Sequence, residues 1–383
     1  MLVAVRLALC GLSVIAVNAF ANTGINPPEQ DNKAYILMEY DTGEILAQKN
    51  ADTPLPPASL TKMMTSYLVE QRLLDGSLQE NTPIMVSENA WCKGSSTQSC
   101  MYVPVNTAAA AIDMLRGIII QSGNDASKAV AEHISGSESA FAALMNTEAK
   151  KLGMNNTHFA NATGMPDDTH LASAKDLAIL ARSIIKDSGK YYPIYAEKEF
   201  TYNDIKQGNR NVLIGTDPTV DGLKTGHTNQ AGFCLAASSN RDNMRLIAIV
   251  LGAPSMQARA NQARELLAFG YGHFENVVKA PQGQSITKTP VRYGKDKEVE
   301  LITATPLKVL TTKNQAANIT TTAEFNADVK APITAGQELG KMLAVMDGKV
   351  VASTPLVAAN AVEEVGFVSK IWQSVVYWVK DLF

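Results

Sequence analysis

The chain has 383 residues, 46% of them apolar and 19% charged, with a formal net charge of −3. That length exceeds what one hydrophobic core normally holds, so two domains are expected, and the composition excludes extended disorder. Lysine and arginine are scattered rather than clustered, which argues against nucleic acid as a partner.

Residues 1–21 read as a secretory signal peptide: Arg6 gives the positive start, Leu7 to Val17 the apolar run, and Ala19-Phe20-Ala21 the small-x-small cleavage site. The apolar run is too short for a bilayer span of roughly 20 residues. Cys10 does not read as a lipoprotein site, because Leu9 stands where a small residue is wanted. The mature chain is therefore expected to work outside the cytoplasm. There Cys92 and Cys100, bracketing a polar segment, either close a small disulfide loop or stand as unpaired thiols. Cys234, inside the apolar run Phe233 to Ala237, reads as a buried strand residue.

Ala34 to Tyr40 and Glu44 to Gln48 read as strands about the turn Asp41-Thr42-Gly43. Pro54, Pro56 and Pro57 interrupt, and Ser59 to Leu74 resumes with Leu60, Met63, Met64, Tyr67 and Leu68 on one helical face. A second apolar helix is expected over Ala108 to Gln121, broken at Ser122-Gly123-Asn124, with a third from Asp125. Met154 to Thr169, rich in Asn, Gly, Pro and Asp, reads as a long surface loop, and Asp176 to Ile185 as an apolar helix. Strand signals return near Leu223, at Gly232 to Ser238 and at Met244 to Leu251, and Ser255 to Phe269 is helical. Mixed elements of this kind fit an α/β or α+β domain, over residues 22–276, whose first hairpin joins the later strands.

From Val277 short β-branched runs alternate with turns such as Tyr293-Gly294-Lys295-Asp296, and Asp347-Gly348 is a two-residue hairpin cue. Residues 277–360 therefore read as a small all-β domain. In residues 361–383, Val365, Val368, Ile371, Trp372, Val375, Val376, Val379, Leu382 and Phe383 share one helical arc. Ser369, Lys370, Gln373, Lys380 and Asp381 share the other. An amphipathic helix of this type suits the plane of a membrane interface; the alternative is docking on its own protein.

Acyl transfer needs a nucleophile, a base and oxyanion donors. S-x-x-K occurs at Ser59, Ser183 and Ser285, S-x-N at Ser87, Ser122 and Ser238, and Lys224-Thr225-Gly226 once. Ser59 opens a helix after a Pro-rich turn, so its N–H lacks an intrahelical partner and its side chain shares a face with Lys62. Ser183 lies mid-helix, and Ser285 lies in a strand that sends i and i+3 to opposite faces. Ser87 looks like an N-cap, Ser238 ends a strand, and Ser122 sits at a helix break. The ordered trio is Ser59, Ser122 and Lys224.

S-x-x-K, S-x-N and K-T-G in that order form the signature of serine penicillin-binding proteins and serine β-lactamases. The segments "YDTGEILAQKNAD", "PASLTKMMT", "SENAW", "QSGNDAS", "GLKTGHT" and "MRLIAIVLG" resemble those of the type-5, low-molecular-mass D-alanyl-D-alanine carboxypeptidases over essentially the whole mature chain. The resemblance implies a penicillin-binding or β-lactamase-like transpeptidase fold, then the small β domain and the terminal helix. It implies that Ser59 attacks the penultimate D-alanine carbonyl, that Lys62 is its base, and that Ser122 relays a proton between Lys224 and the leaving amine. Asn124 would position the substrate amide. Lys224 and Thr225, beside Gly226, would hold the terminal carboxylate, and the N–H groups of Ser59 and His227 the oxyanion. Arg210 and Arg245 match positive positions near the carboxylate pocket, with a structural ion pair as the alternative for each. Ser127 departs from relatives that carry a cysteine there, and the Cys92 and Cys100 pair looks local to this chain.

The resemblance further implies no metal or organic cofactor. The expected partners are the peptidoglycan pentapeptide stem and β-lactams acting as covalent inhibitors. The expected location is periplasmic, on the outer face of the inner membrane. The rivals are a D,D-endopeptidase, a serine β-lactamase, which often relies on a glutamate in the loop after S-x-N where this chain offers Asp167 and Asp168, and an idle membrane scaffold.

Overall fold

The computed structural model describes residues 25–93 and 98–380. The signal-peptide reading of residues 1–21 lies outside them, as do Asp381, Leu382 and Phe383 of the helical arcs. The chain divides into two compact units at Gly270 and Tyr271 rather than at residue 276. The dividing point follows the packing. Gly270 still lies against Leu37 and Leu246 of the first unit, whereas Phe274 pairs with Thr312 of the second.

In the first unit β1 (Ala34–Glu39) and β2 (Ile45–Lys49) form the expected hairpin. A 3-10 turn, Ala58–Thr61, leads into α1 (Lys62–Leu74), which is buried continuously from Lys62 to Glu70. A helix apolar on most sides belongs in the middle of a domain. β3 (Pro83–Met85) pairs with β4 (Ala108–Ala110), and α2 (Ala111–Arg116) follows. The single helix expected over 108–121 is thus three pieces, since its last turn, Gly117–Gln121, widens to a π-helix. The first residues are strand because Ala109 pairs with Ile84, while Thr82 and Glu80 carbonyls take the N–H groups of Ala111 and Ile112. Next come α3 (Asn124–Ser135), α4 (Glu138–Leu152) and α5 (Ala174–Asp187).

The hairpin β5 (Glu199–Tyr202) and β6 (Ile205–Gly208) precedes β7 (Val220–Thr228), β8 (Gly232–Arg241) and β9 (Met244–Ala253). Among the described residues these last three join the first hairpin in an antiparallel sheet of order β2-β1-β9-β8-β7. The near-continuous apolar runs of β8 and β9 place them centrally, and β7, carrying Lys-Thr-Gly, takes the edge. One face of the sheet, through Ile36, Met38, Ile247 and Ile249, shares a core with α1 and α5. The alternate residues Leu37 and Leu246 meet α6 (Met256–His273).

The segment after α4 is a loop, exposed from Met165 to Thr169, but its earlier part is not the surface its composition indicates. Met154, Phe159, Ala162 and Thr163 are all buried. Its polar residues bond inward: the Asn161 carboxamide oxygen accepts from the N–H groups of Thr163 and Gly164. Ser238 lies inside β8 rather than at its end, bound to Arg245. Ser87 caps a single turn, accepting from the Ala90 N–H.

The second unit begins with β10 (Phe274–Ala280), β11 (Ser285–Arg292), β12 (Glu298–Thr303) and β13 (Leu307–Thr312). It continues through β14 (Thr320–Phe325), β15 (Val329–Lys330), β16 (Glu338–Met346) and β17 (Lys349–Ala358). Among the described residues six of these form one sheet, β14-β16-β17-β12-β11-β15, and β10 pairs with β13. Asp347 and Gly348 close the β16–β17 hairpin with φ of 51° and 74°, the left-handed pair that a type I′ turn requires. The unit ends in α7 (Phe367–Lys380). Its polar side touches the domain: Gln373 Oε1 accepts from the Tyr293 N–H at 3.1 Å, and Lys370 lies over the Tyr293 ring. Its apolar side is open, with Val368 80% and Trp372 71% exposed.

Candidate active site

Three elements of the first unit meet at Ser59. The serine lies in the 3-10 turn, half-buried, behind Ala58, whose φ of 49° is left-handed. One helical turn on, Lys62 is fully buried, with Nζ 3.2 Å from Ser59 Oγ. The same Nζ donates to Asn124 Oδ1 at 2.7 Å and to the Thr163 carbonyl at 2.7 Å. Burial, and then the positive charge of Arg210, pull its pKa down to about 7 against the opposing pull of Asp125 and Glu138. A lysine so placed is a free amine for a large part of the time near neutral pH.

The S-x-N segment arrives where the π-helix ends. Ser122 is left-handed at φ 60°, a conformation that costs a non-glycine residue about 1 kcal/mol or more and that concentrates at functional sites. Its hydroxyl is buried and has no protein partner. Asn124 opens α3, and its side chain donates to Gln98 Oε1 at 3.1 Å while accepting from Lys62. Asp125 fixes the facing wall, its carboxylate accepting from the N–H groups of Met101, Tyr102 and Val103. Cys92 and Cys100 close that wall with a disulfide, which resolves the two readings of the pair. Cys234 is buried in β8, as its apolar neighbours indicate.

The third element is the edge strand β7. Lys224 is buried and donates to the Thr225 carbonyl. Burial, then Lys62, Arg210 and Arg259, hold its pKa well below the usual lysine range. A cavity of about 610 Å³ runs between these elements, lined by Ser59, Ser122, Thr225, Gly226, His227, Arg210 and Arg259. A second of about 320 Å³ shares Ser59 and His227 and is lined by Asn124 and Thr163. The His227 ring stacks on Phe233 at 4.0 Å.

Arg245 does not join the site. It pairs with Asp221 at 2.8 Å and bonds Ser238 and the Tyr192 hydroxyl, so the ion-pair alternative holds for it. Sequence reading missed Arg259, whose guanidinium lines the cleft and donates to the Gly226 carbonyl at 3.0 Å. A signal existed: Arg259 is in helical phase with Ala263 and Leu266, on the apolar face where an arginine seldom sits without a partner. Thr163 was also missed, because its backbone carbonyl does the work and leaves no trace in residue type.

The family model for D-alanyl-D-alanine carboxypeptidases, Peptidase S11, matches residues 21–255. The chain belongs to this family. The model for the penicillin-binding protein 5 C-terminal domain matches residues 274–364, so both units of this carboxypeptidase are accounted for. D-alanyl-D-alanine carboxypeptidase DacA of Haemophilus influenzae is 39% identical over 381 residues, 97% of each chain. The crystal structure of penicillin binding protein 5 from Haemophilus influenzae superposes with a TM-score of 0.77 at 39% identity, covering 89% of this chain and 100% of that one. Penicillin-binding protein D2 from Listeria monocytogenes, solved in its cefotaxime-bound form, is 27% identical with a TM-score of 0.59, covering 64% of this chain and 99% of its own.

With Lys62 acting as a neutral base, kcat/KM is expected to rise with pH through about 7 and level off above it, as a pH–rate profile would show. Arg210→Gln removes a charge that opposes protonation, so a pH profile of the variant should show the rise displaced to higher pH. The two other arginines separate in steady-state kinetics. Arg259→Ala should raise KM for a substrate with a free C-terminal carboxylate by roughly 10- to 100-fold. Arg245→Ala should leave KM near that of the wild type and lower thermal stability by on the order of 1–3 kcal/mol.

Proposed function

We propose that in this serine D-alanyl-D-alanine carboxypeptidase Ser59 carries the acyl group and Lys62 is the base for its formation and hydrolysis. The single observation that supports this most strongly is the bonding of Lys62 Nζ. A neutral amine has two N–H groups and one lone pair. Asn124 and Thr163 take the two N–H groups at 2.7 Å, which leaves the lone pair toward Ser59 Oγ at 3.2 Å.

Ser59 Oγ attacks the penultimate D-alanine carbonyl as its proton passes to Lys62. The oxyanion takes hydrogen bonds from the Ser59 N–H, free at the start of the turn, and from the N–H of His227 on the sheet edge. The tetrahedral intermediate collapses with cleavage of its C–N bond, and the proton on Lys62 passes through the Ser122 hydroxyl, which is buried without a protein partner, to the departing D-alanine nitrogen, leaving Lys62 a neutral amine again. Arg210, Arg259, Lys224 and Thr225 hold the D-alanine carboxylate. Water then attacks the ester, Lys62 taking its proton and passing it to Ser59 Oγ as the acyl–oxygen bond breaks, and the shortened stem peptide leaves. A β-lactam acylates Ser59 the same way, but its leaving nitrogen stays tethered in the adduct.

The test compares D-alanine release from an N-acylated L-Lys-D-Ala-D-Ala peptide by the mature protein and by Ser59→Ala. Release by the wild type alone is the expected result, with a penicillin adduct on the same serine by mass spectrometry. An adduct or release that survives in Ser59→Ala would overturn the assignment.

We further propose that the enzyme works in the periplasm, tethered to the outer face of the inner membrane by α7. The N-terminal leader pattern supports export, and the Cys92–Cys100 disulfide fits an oxidising compartment. Phe367, Val368, Ile371, Trp372 and Val375 are all at least half exposed on α7, an apolar stripe suited to an interface. No helix among the described residues is long and apolar enough to cross a membrane. Sedimentation with anionic phospholipid vesicles should retain the full mature protein, while Ile371→Asp with Trp372→Asp remains in solution at unchanged D-alanine release. Equal sedimentation of both proteins counts against the tether.

A further inference from the structure

The segment between α4 and α5 is latched to the nucleophile turn at four points. Thr65 Oγ1 donates to the Ala162 carbonyl at 2.7 Å, and Lys62 Nζ to the Thr163 carbonyl at 2.7 Å. Gly164, left-handed at φ 81°, comes so close that a β carbon there would sit 1.9 Å from the Ala58 carbonyl oxygen. The fourth point is His170, which is 2% exposed and lines neither cavity at Ser59. Its Nε2 lies 2.7 Å from Thr61 Oγ1, and its Nδ1 accepts from the Ala160 N–H at 3.0 Å. An accepting Nδ1 places the ring proton on Nε2, so Nε2–H donates to the threonine. Burial pushes the imidazole pKa down to about 4, which keeps this neutral form at neutral pH. The ring is further held edge-on by Phe159 at 5.7 Å.

We propose that His170 is a positioning residue for acylation: by bridging the Ala160 N–H and the Thr61 hydroxyl it holds the Thr163 carbonyl on Lys62 and so aims the Lys62 lone pair at Ser59. The inference rests on Lys62 being the base. His170 closes a ring of contacts running Thr61, Lys62, Thr163, Ala160 and back. Opening that ring frees the Thr163 carbonyl to drift, and an amine that loses one of two fixed acceptors turns about its own stem. A displacement of about 1 Å in such a group lowers a rate by about 100-fold. Substrate binding is untouched, because His170 and Thr61 do not line the cleft.

The test measures β-lactam acylation in the stopped flow, which separates the encounter constant from the acylation rate constant. Thr61→Val removes the acceptor of the Nε2–H, His170→Phe keeps the ring without its nitrogens, and His170→Gln keeps one donor and one acceptor. Thr61→Val and His170→Phe should each slow acylation by about 10- to 100-fold, with encounter constants within threefold of wild type. The double variant should be no slower than the worse single one, and His170→Gln should recover the rate to within threefold. Unchanged acylation in folded Thr61→Val and His170→Phe, losses that multiply in the double variant, or a loss confined to the encounter constant would each overturn the proposal. If His170→Phe does not fold, Thr61→Val and His170→Gln decide on the same criteria. Lys62→Ala, run in parallel, keeps the two readings apart, since wild-type acylation there would remove the base assignment itself.

Discussion

An amine sealed from water is disfavoured as a cation and useless as a base unless its N–H groups have somewhere to go. Lys62 is fully buried, and both problems are solved by two oxygen atoms, Asn124 Oδ1 and the Thr163 carbonyl. The oxygens stabilise whichever protonation state is present, and burial with neighbouring positive charge sets the balance between the two states near neutral pH. The rest of the first unit serves that atom. α1 is buried over its first two turns, which seals its lysine from water, and the π-helical end of the next helical stretch brings Ser122 and Asn124 to bear. The segment after α4 lies against the nucleophile turn so that a backbone carbonyl reaches the amine. The sheet edge completes the enclosure from the other side.

The cations of the cleft carry two duties at once. Lys62, Lys224, Arg210 and Arg259 crowd one region: after burial, Arg210 pulls the Lys62 pKa down, and Lys62, Arg210 and Arg259 pull down that of Lys224. That crowding is unfavourable in the empty enzyme and is relieved by an anion, so in the proposed mechanism one field both keeps the base neutral and attracts a terminal carboxylate. Arg245 belongs to a different balance. Asp221, Ser238 and Tyr192 satisfy it across β7 and β8, where it ties the edge strand to the sheet.

The sequence made much of this legible, for physical reasons that differ by element. Ser59, Lys62, Ser122, Asn124 and Lys224 were readable because each role demands one side-chain type at a fixed spacing. The Asp347-Gly348 hairpin was readable because few residues tolerate its backbone angles. α4 was overlooked although Phe141, Met145 and Ala149 recur at helical spacing behind Ser137, which caps the first turn. The segment from Met154 to Thr169 misled because Asn and Asp side chains satisfying neighbouring N–H groups look, in composition alone, like residues seeking water. Arg245 misled because a positive residue near a motif says nothing about which face of the strand carries it. Thr163 had no signal at all, since any residue supplies a carbonyl.

Gly164 bears on how this enzyme can change over generations. Its contact with Ala58 leaves no space for a side chain, so any larger residue there would push the segment off the nucleophile turn. A lineage under antibiotic pressure that widened the cleft on this side to shed a bulky drug would also lift the Thr163 carbonyl from Lys62. Drug escape and wall maintenance would then pull against each other at a single glycine. The open ground for adaptation is the opposite rim, where Gly208, Asn209 and Val212 line the cavity without touching the amine.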